Sequence, residues 1–428
     1  MTPDIDGPRG LLLALFDAAI AAAHPRLCLP AHLPEPPASG RLIVLAAGKA
    51  AASMSEVASA HYRAGGFNRI EGLAVARHGY GGAVEGIEVV EAGHPVPDEA
   101  GIAATARTLA LAQSAGPDDL VLVLLSGGGS ANWIAPAGAL TLAEKQGLTR
   151  ALLRSGADIG EINTLRKHLS RIKGGRLAAA CQPARLWTLA ISDVPHDDPS
   201  VIASGPTVPD PTTLADALAV VRRRGITLPP SAAALLADPA SESPKPGDPA
   251  FRGAEYRIVA RPADMISALV RDAAAAGYEP IVLGGDLEGE ARDVAAQHAA
   301  QALALKRAGR RAAIISGGEL TVTMRGQGRG GPNQEYALAL AIALAGEPGI
   351  SAMAGDTDGT DGGAGSASDP AGAIVDETTL ARAEAAGLDA AGCLAANDST
   401  TFFEKTGDLV VPGPTRTNVN DCRIILVD

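Results

Sequence analysis

The sequence predicts an α/β protein of two domains. Three observations predict it. At 428 residues the chain exceeds what one hydrophobic core ordinarily organises. Short aliphatic runs alternate with Ala-rich helical stretches, the pattern of parallel strands joined by right-handed crossovers. Hydrophobic residues make up 46% of the chain but aromatics only 3%, so Ala, Leu, Val and Ile must fill the cores, as in strands covered on both faces.

The elements follow in order. After an acidic start, MTPDIDGPRG, the run from Leu11 to Ala23 is short and carries Asp17. That predicts an amphipathic helix, not a signal peptide or a membrane span. RLIVLAA (Arg41 to Ala47) predicts a buried strand followed by a helix through Ala64, and LVLVLL (Leu120 to Leu125) and LWTLAI (Leu186 to Ile191) predict further strands. Helices are expected near Glu99 to Ser114, Leu142 to Arg154 and Ile162 to Ala180. From Pro229 to Pro249 the composition turns to Pro, Ser, Ala and Asp, which predicts either a linker between domains over residues 1–240 and 250–428 or an exposed excursion. The alternation then resumes with PIVLGG, a helix from Glu290 to Arg307, AAIISGGE, a helix from Asn333 to Leu344 and the closing strand RIILV.

The net charge of −12 excludes a duplex nucleic-acid partner, which needs a concentrated basic surface, but not a nucleotide held by a local cluster. Cys28, Cys181, Cys393 and Cys422 are far apart and form no CxxC pair, so buried thiols in a reducing cytoplasm are expected. No membrane association is expected.

Several strands run straight into glycine-rich turns, at Leu45, Leu124, Val282 and Ile314. In open α/β sheets ligands bind beyond the carboxyl ends of strands, and glycine lets the backbone approach them. Gly48 and Lys49 follow the first strand without forming a Walker A loop. Ser126, Gly127, Gly128, Gly129 and Ser130 follow the strongest strand and can wrap a phosphate or carboxylate. Asn163, Arg166, Lys167, His168 and Lys173 form a basic stretch that is either a solvated helix face or an anion site. Asp193, Asp197 and Asp198 lie beyond the third strand, and Asp356, Asp358 and Asp361 in a second loop. The second loop fails as an EF-hand, with Thr360 at its fifth position and Ala367 at its twelfth. Such carboxylates either cap turns or hold Mg²⁺ beside phosphates. Gly326 to Gly331 matches GxGxxG and supports a competing dinucleotide-dependent oxidoreductase, though Asp356 falls later than the usual spacing for the ribose carboxylate.

Taken together, AAGKA, LLSGGGSA, INTLRKHLSRIKGGRLA, ISDV with DDPSVIASGPTVPD, SGGELTV, GGPNQEYALALA, TDGTDG and GPTRTNVND resemble the class II glycerate kinases, whose C-terminal part is the MOFRL domain. The blocks run in order over nearly the whole chain. The resemblance implies a Rossmann-like N-terminal domain of three α/β/α layers and a second, MOFRL-type α/β domain. It also implies an active site in a cleft between them and transfer from ATP to D-glycerate giving 2-phosphoglycerate, with Mg²⁺. Relatives are also labelled hydroxypyruvate reductase, which keeps an NAD(P)H-dependent oxidoreductase as the alternative.

Carried over residue by residue, the resemblance implies Lys49 as catalytic, with Arg329 assigned beside it as a substitute and Asp193 as the acidic-loop candidate, although sequence does not divide the base and metal roles among the Asp residues. The resemblance implies Gly48, Ser126, Gly127, Gly128, Gly129, Ser130, Arg166, Lys167, Glu319, Asn333 and Asp358 as contacts to substrate or nucleotide, and Asp198 and Asp361 as metal ligands. The family's arginine falls on Pro332, with Arg329 the nearest substitute, and His196 stands where glycine is expected. Glycerate and ATP are the expected partners, and a second copy of the chain is a possible one.

Overall fold

The computed structural model describes residues 7–362, 366 and 368–428, so Ala367 and the first six residues lie outside the described residues. The chain divides into two compact units, one of residues 28–259 and one combining residues up to 27 with 260–428.

The unit of residues 28–259 holds strands β1 (Leu42–Ala47), β2 (Ile70–Arg77), β3 (Glu88–Ala92), β4 (Leu120–Leu125), β5 (Arg185–Ile191) and β6 (Glu255–Ala260), ordered β3-β2-β1-β4-β5-β6. All pairings from β3 through β5 are parallel, with Leu42 opposite both Ile70 and Leu120. This is a Rossmann-like sheet, and its strand order reverses direction between β1 and β4. β1 and β4 are buried at every position, which is why both appear in the sequence as unbroken aliphatic runs. Ile43, Leu45 and Ala47 share a core with Ala104, Leu109 and Ala112 of helix Glu99–Gln113. The alternate residues Leu42, Val44 and Ala46 are equally buried on the opposite face of the sheet.

The second unit holds β7 (Glu279–Leu287), β8 (Ala312–Gly318), β9 (Ile350–Asp356), β10 (Gly372–Val375), β11 (Leu409–Val410) and β12 (Asp421–Val427), ordered β11-β10-β9-β12-β8-β7. Only β7 and β8 pair in parallel; β12 runs antiparallel between β8 and β9. One face packs on helices Ala291–Arg307 and Pro332–Leu344. The other meets helix Pro8–Ala22, whose Phe16 lies against Gly355 of β9: a Cβ there would fall 3.1 Å from the Phe16 ring. Burying Phe16 stabilises this arrangement by roughly 1.5–3 kcal/mol, and Thr417 Oγ1 donates to the Ala23 carbonyl at 2.7 Å.

Three expectations change. The first helix belongs to the second unit's layers, not to a domain of residues 1–240. Residues 229–249 are not an extended linker: helix Pro230–Ala237 buries Ala232 and Leu236 in a core with Leu140, Leu148, Leu152 and Val220, inside the first unit. The helix expected over Ile162 to Ala180 is two, Ile159–His168 and Arg176–Ala180, broken where Gly174 and Gly175 take φ of 58° and 78°.

Candidate functional site

The turns after β1 and β4 are locked together at the point where the strand order reverses. The Ser126 N–H donates to the Ala47 carbonyl at 3.1 Å, the Lys49 N–H to the Gly127 carbonyl at 2.8 Å, and the Ala50 N–H to Ser126 Oγ at 2.9 Å. Gly48 sits at φ 117°, and a Cβ on it would fall 2.4 Å from both the carbonyl oxygen and Oγ of Ser126. No other residue permits that approach. Gly128, at φ 84°, is flanked by His94 and Lys49: a Cβ there would lie 2.9 Å from the His94 ring and 3.5 Å from Lys49 Cγ. Gly48, Lys49 and Ser126 to Ser130 are therefore brought together by these turns, with Lys49, Gly128 and Ser130 the partly exposed members.

Behind these turns lies a buried basic cluster. Lys173 is 1% exposed and donates to the carbonyls of Ser130 and Trp133 at 2.8 and 3.0 Å. Lys145 donates to the Leu169 carbonyl at 2.9 Å, and burial, with the nearby Arg166 and Arg176 charges, pulls its ammonium down to about 7. Burial, reinforced by Lys145 and Arg166, also pulls Lys173 well below the ordinary lysine range, and burial alone lowers Arg166. Arg166 Nη1 donates to Asn163 Oδ1 at 3.1 Å. The INTLRKHLSRIKGG stretch is thus no solvated face. Of its cations, Lys173 lies under the glycine turn at the Ser130 carbonyl and Arg166 is held at Asn163.

Lys167 goes elsewhere. Its ammonium pairs with the buried carboxylate of Asp210 at 3.3 Å, and Asp210 also accepts from Ser243 and Thr212. Glu161 caps helix Ile159–His168 and binds Arg223 and Arg224, which hold its carboxyl at about 2. These contacts fix the helix that carries Asn163 and Arg166.

Beyond β5, Asp193 is half-buried and Asp198 is exposed, with its Oδ1 accepting from the Ser200 N–H at 2.8 Å. His196 and Asp197 take φ of 61° and 54°, a left-handed backbone that gives a physical reason for glycine at His196. The first unit also contains a residue that no spacing in the sequence marks: Ser204, whose hydroxyl lies 2.7 Å from that of Ser130.

In the second unit, Asp361 is the cap of helix Pro332–Leu344. Its Oδ1 accepts from the Asn333 N–H at 3.0 Å and Nδ2 at 3.3 Å, and its Oδ2 from the Gln334 N–H at 2.8 Å and Nε2 at 3.0 Å. Burial nonetheless pushes its carboxyl up to about 7, and the neighbouring Asp421 adds to the rise. With both oxygens taken by N–H donors inside the protein, Asp361 does not fit the role of a metal ligand. Asn333 also donates to Asp421 Oδ1 at 2.7 Å, and Asp421 pairs with the buried Arg423 at 2.9 Å. Asp358 is buried and accepts from the Thr360 N–H at 2.7 Å, whereas Glu319, just beyond β8, is exposed. Arg329 is exposed and bonds Glu404 at 2.9 Å. Among the described residues no group of three or more His, Cys, Asp or Glu is arranged to hold a metal ion.

The GxGxxG match has a different cause from cofactor binding. ELTVTM forms no strand beyond a single bridge of Thr321 to Glu290. A Cβ on Gly326 would lie 2.2 Å from the Ala396 carbonyl, on Gly328 2.4 Å from Asp398 Cβ, and on Gly330 2.1 Å from Ser399 Oγ. These glycines let residues 326–330 pack closely against residues 396–399, and Pro332 begins the following helix, where its missing N–H loses no bond. Among the described residues no helix is long and apolar enough to cross a membrane, and the thiols of Cys181 and Cys422 are buried.

Comparison with known proteins gives a consistent picture. Residues 11–237 match the family model described as a domain of unknown function, DUF4147, and residues 312–421 match the MOFRL family. The chain is 49% identical, over 98% of its length and 94% of the relative's, to a putative hydroxypyruvate reductase of Agrobacterium vitis. It is 38% identical to the D-glycerate 2-kinase of Thermotoga maritima over 99% of both chains. A crystal structure of glycerate kinase from Thermotoga maritima superposes with a TM-score of 0.84 at 38% identity, covering 98% of this chain and 99% of that one.

Proposed function

The chain belongs to the MOFRL-type glycerate kinase family, and from that premise we propose that it uses ATP to phosphorylate D-glycerate at the 2-hydroxyl, with chemistry at the β1–β4 reversal of the first unit. The observation that carries this reading is the joining of Lys49 to the Ser126–Ser130 turn by direct hydrogen bonds, over a buried basic cluster. The hydroxyl oxygen attacks the γ-phosphorus, the bond to ADP breaks, and a carboxylate takes the hydroxyl proton. We assign Lys49 to the charge developing on the transferred group, because a fixed cation at that point lowers the barrier without reorganising. Gly127 and Gly128, bare of side chains, admit an anion close to the backbone, and Arg166 adds positive potential from behind. Asp193 is the proposed proton acceptor.

Glu319 and Arg329 are kept as the second unit's exposed candidates for ligand contacts. Asn333 would act through the buried network of Asp361, Asp421 and Arg423, and Asp358 through the turn its carboxylate holds at Thr360. Magnesium is read as arriving with the triphosphate, its usual company. Asp361 is withdrawn as its ligand, and no step is routed through a protein-held metal. The buried thiols of Cys181 and Cys422 suit a cytoplasmic enzyme.

The hydroxypyruvate reductase name of some relatives is the weaker alternative, since the glycines of the dinucleotide-like motif read in the sequence pack closely against residues 396–399. The test is a pair of assays on one preparation. ADP and 2-phosphoglycerate should appear in equal amounts from ATP, Mg²⁺ and D-glycerate. Oxidation of NADH or NADPH by hydroxypyruvate, with no turnover of ATP, would overturn the reading.

A further inference from the structure

Ser204 is fully buried, yet its backbone is left-handed, with φ of 62°, between Ala203 at 50° and Gly205 at 59°. Consecutive L side chains in that region are unfavourable and persist only where the surroundings enforce them. Here they are enforced: the Gly174 N–H donates to the Ser204 carbonyl at 3.1 Å, the Gly175 N–H to the Gly205 carbonyl at 2.8 Å, and the Leu177 N–H to the Pro206 carbonyl at 3.1 Å. The result aims one hydroxyl. Ser204 Oγ lies 2.7 Å from Ser130 Oγ and 3.4 Å from Asn163 Oδ1, an oxygen that already accepts from Arg166. Ser130 is also held at its carbonyl by Lys173.

Each serine hydroxyl has one proton to donate. If Ser130 gave its proton to Ser204, it could offer a ligand only lone pairs. Ser204 can donate to Asn163 Oδ1 only across 3.4 Å, a weak bond, whereas Ser130 Oγ lies at 2.7 Å, and this difference favours the opposite direction. We propose that Ser204 is a positioning residue: its hydroxyl donates to Ser130 Oγ and so turns the Ser130 proton outward, toward an anionic oxygen of the substrate or nucleotide. This inference rests on the kinase reading and adds to it a residue that acts only through Ser130. The strained backbone is kept because it delivers that hydroxyl.

Ser204→Ala and Ser204→Gly both remove the hydroxyl, but only glycine relieves the strain. Both variants should lose about 3- to 10-fold in kcat/KM, the scale of one neutral hydrogen bond. Ser204→Gly should nevertheless melt about 2–4 °C above Ser204→Ala. The double variant Ser130→Ala/Ser204→Ala should be no slower than Ser130→Ala alone. Whichever KM moves, that for D-glycerate or that for ATP, identifies the ligand that receives the Ser130 proton. Recovery of parent activity in Ser204→Gly would overturn the proposal, since only the backbone would then matter. A double variant as slow as the product of its singles would overturn it too, by separating Ser204 from Ser130. A parent protein that does not phosphorylate glycerate at all would refute the kinase reading itself, a result distinct from either.

Discussion

Replacing Gly48 by alanine probes the joint between the turns that follow β1 and β4. The substitution adds one methyl group, and that group would lie 2.4 Å from the carbonyl oxygen and Oγ of Ser126 and 2.8 Å from the Gly127 carbonyl. Two of those atoms are backbone, so no flexible side chain can yield. Overpacking of this kind costs about 1–3 kcal/mol, and an L residue at φ 117° a similar amount, for roughly 2–6 kcal/mol together. On a unit the size of residues 28–259 that lowers the melting temperature by on the order of 5–15 °C. Gly225→Ala is the control: its φ is 61° but nothing lies within 4 Å of the added Cβ, so it isolates strain from crowding. Thermal melts of both variants, with kcat measured well below either transition, separate the two effects. Gly48→Ala should also lose turnover while folded, because the Lys49–Gly127 and Ala50–Ser126 bonds must part to admit the methyl group. A Gly48→Ala protein that melts within about 1 °C of the parent and turns over normally would refute the claim that the turns are locked by close approach.

The remaining predictions concern charge. Asp361 has a folded-state value of about 7, above the unfolded 3.8, so the folded protein holds this proton more tightly and the group's contribution to stability is lost as pH rises through that window. Asp361→Asn, which cannot titrate and turns an amide donor toward the N–H groups of Asn333 or Gln334, should therefore lose more stability relative to the parent at pH 5 than at pH 8 in paired denaturant titrations. Glu161 runs the other way: Arg224 and Arg223 hold it at about 2 from an ordinary 4.5, so its stabilisation is present above pH 4.5 and lost as pH falls toward 2. The deficit of Glu161→Gln should then be full at pH 7 and vanish in acid, and an equal deficit at both would remove the ion pairs from the account.

Much of the fold was legible because its strongest signals are local. LIVLAA and LVLVLL are continuous aliphatic runs because both faces of β1 and β4 are covered, and the glycines after them mark turns whose geometry excludes a side chain. What could not be read depends on distant partners. Pro229 to Pro249 has the composition of a linker, yet Ala232 and Leu236, four residues apart on one helical face, bury against residues almost a hundred positions earlier. The first helix looks like part of its neighbours in sequence, but Phe16 packs against Gly355. The basic stretch left two readings open because sequence does not show burial; Lys167 went to Asp210 and Lys173 to the glycine turn. GxGxxG misleads for the same reason, since glycines needed for close loop packing are indistinguishable in sequence from glycines needed for a cofactor. Ser204 carried no signal at all, because neither its left-handed backbone nor its contact with Ser130 follows from its neighbours.

The account stands most directly on Lys49. Lys49→Ala, compared with the parent for kcat with ATP and D-glycerate and for melting temperature, isolates its role, because the half-exposed side chain leaves no core cavity when removed. The account predicts a fall in kcat of about 10²-fold or more, on the scale of a single electrostatic stabiliser, with the melting temperature essentially unchanged. A variant that retains near-parent kcat would contradict it, and the β1–β4 reversal would no longer be the place where the phosphoryl group is transferred.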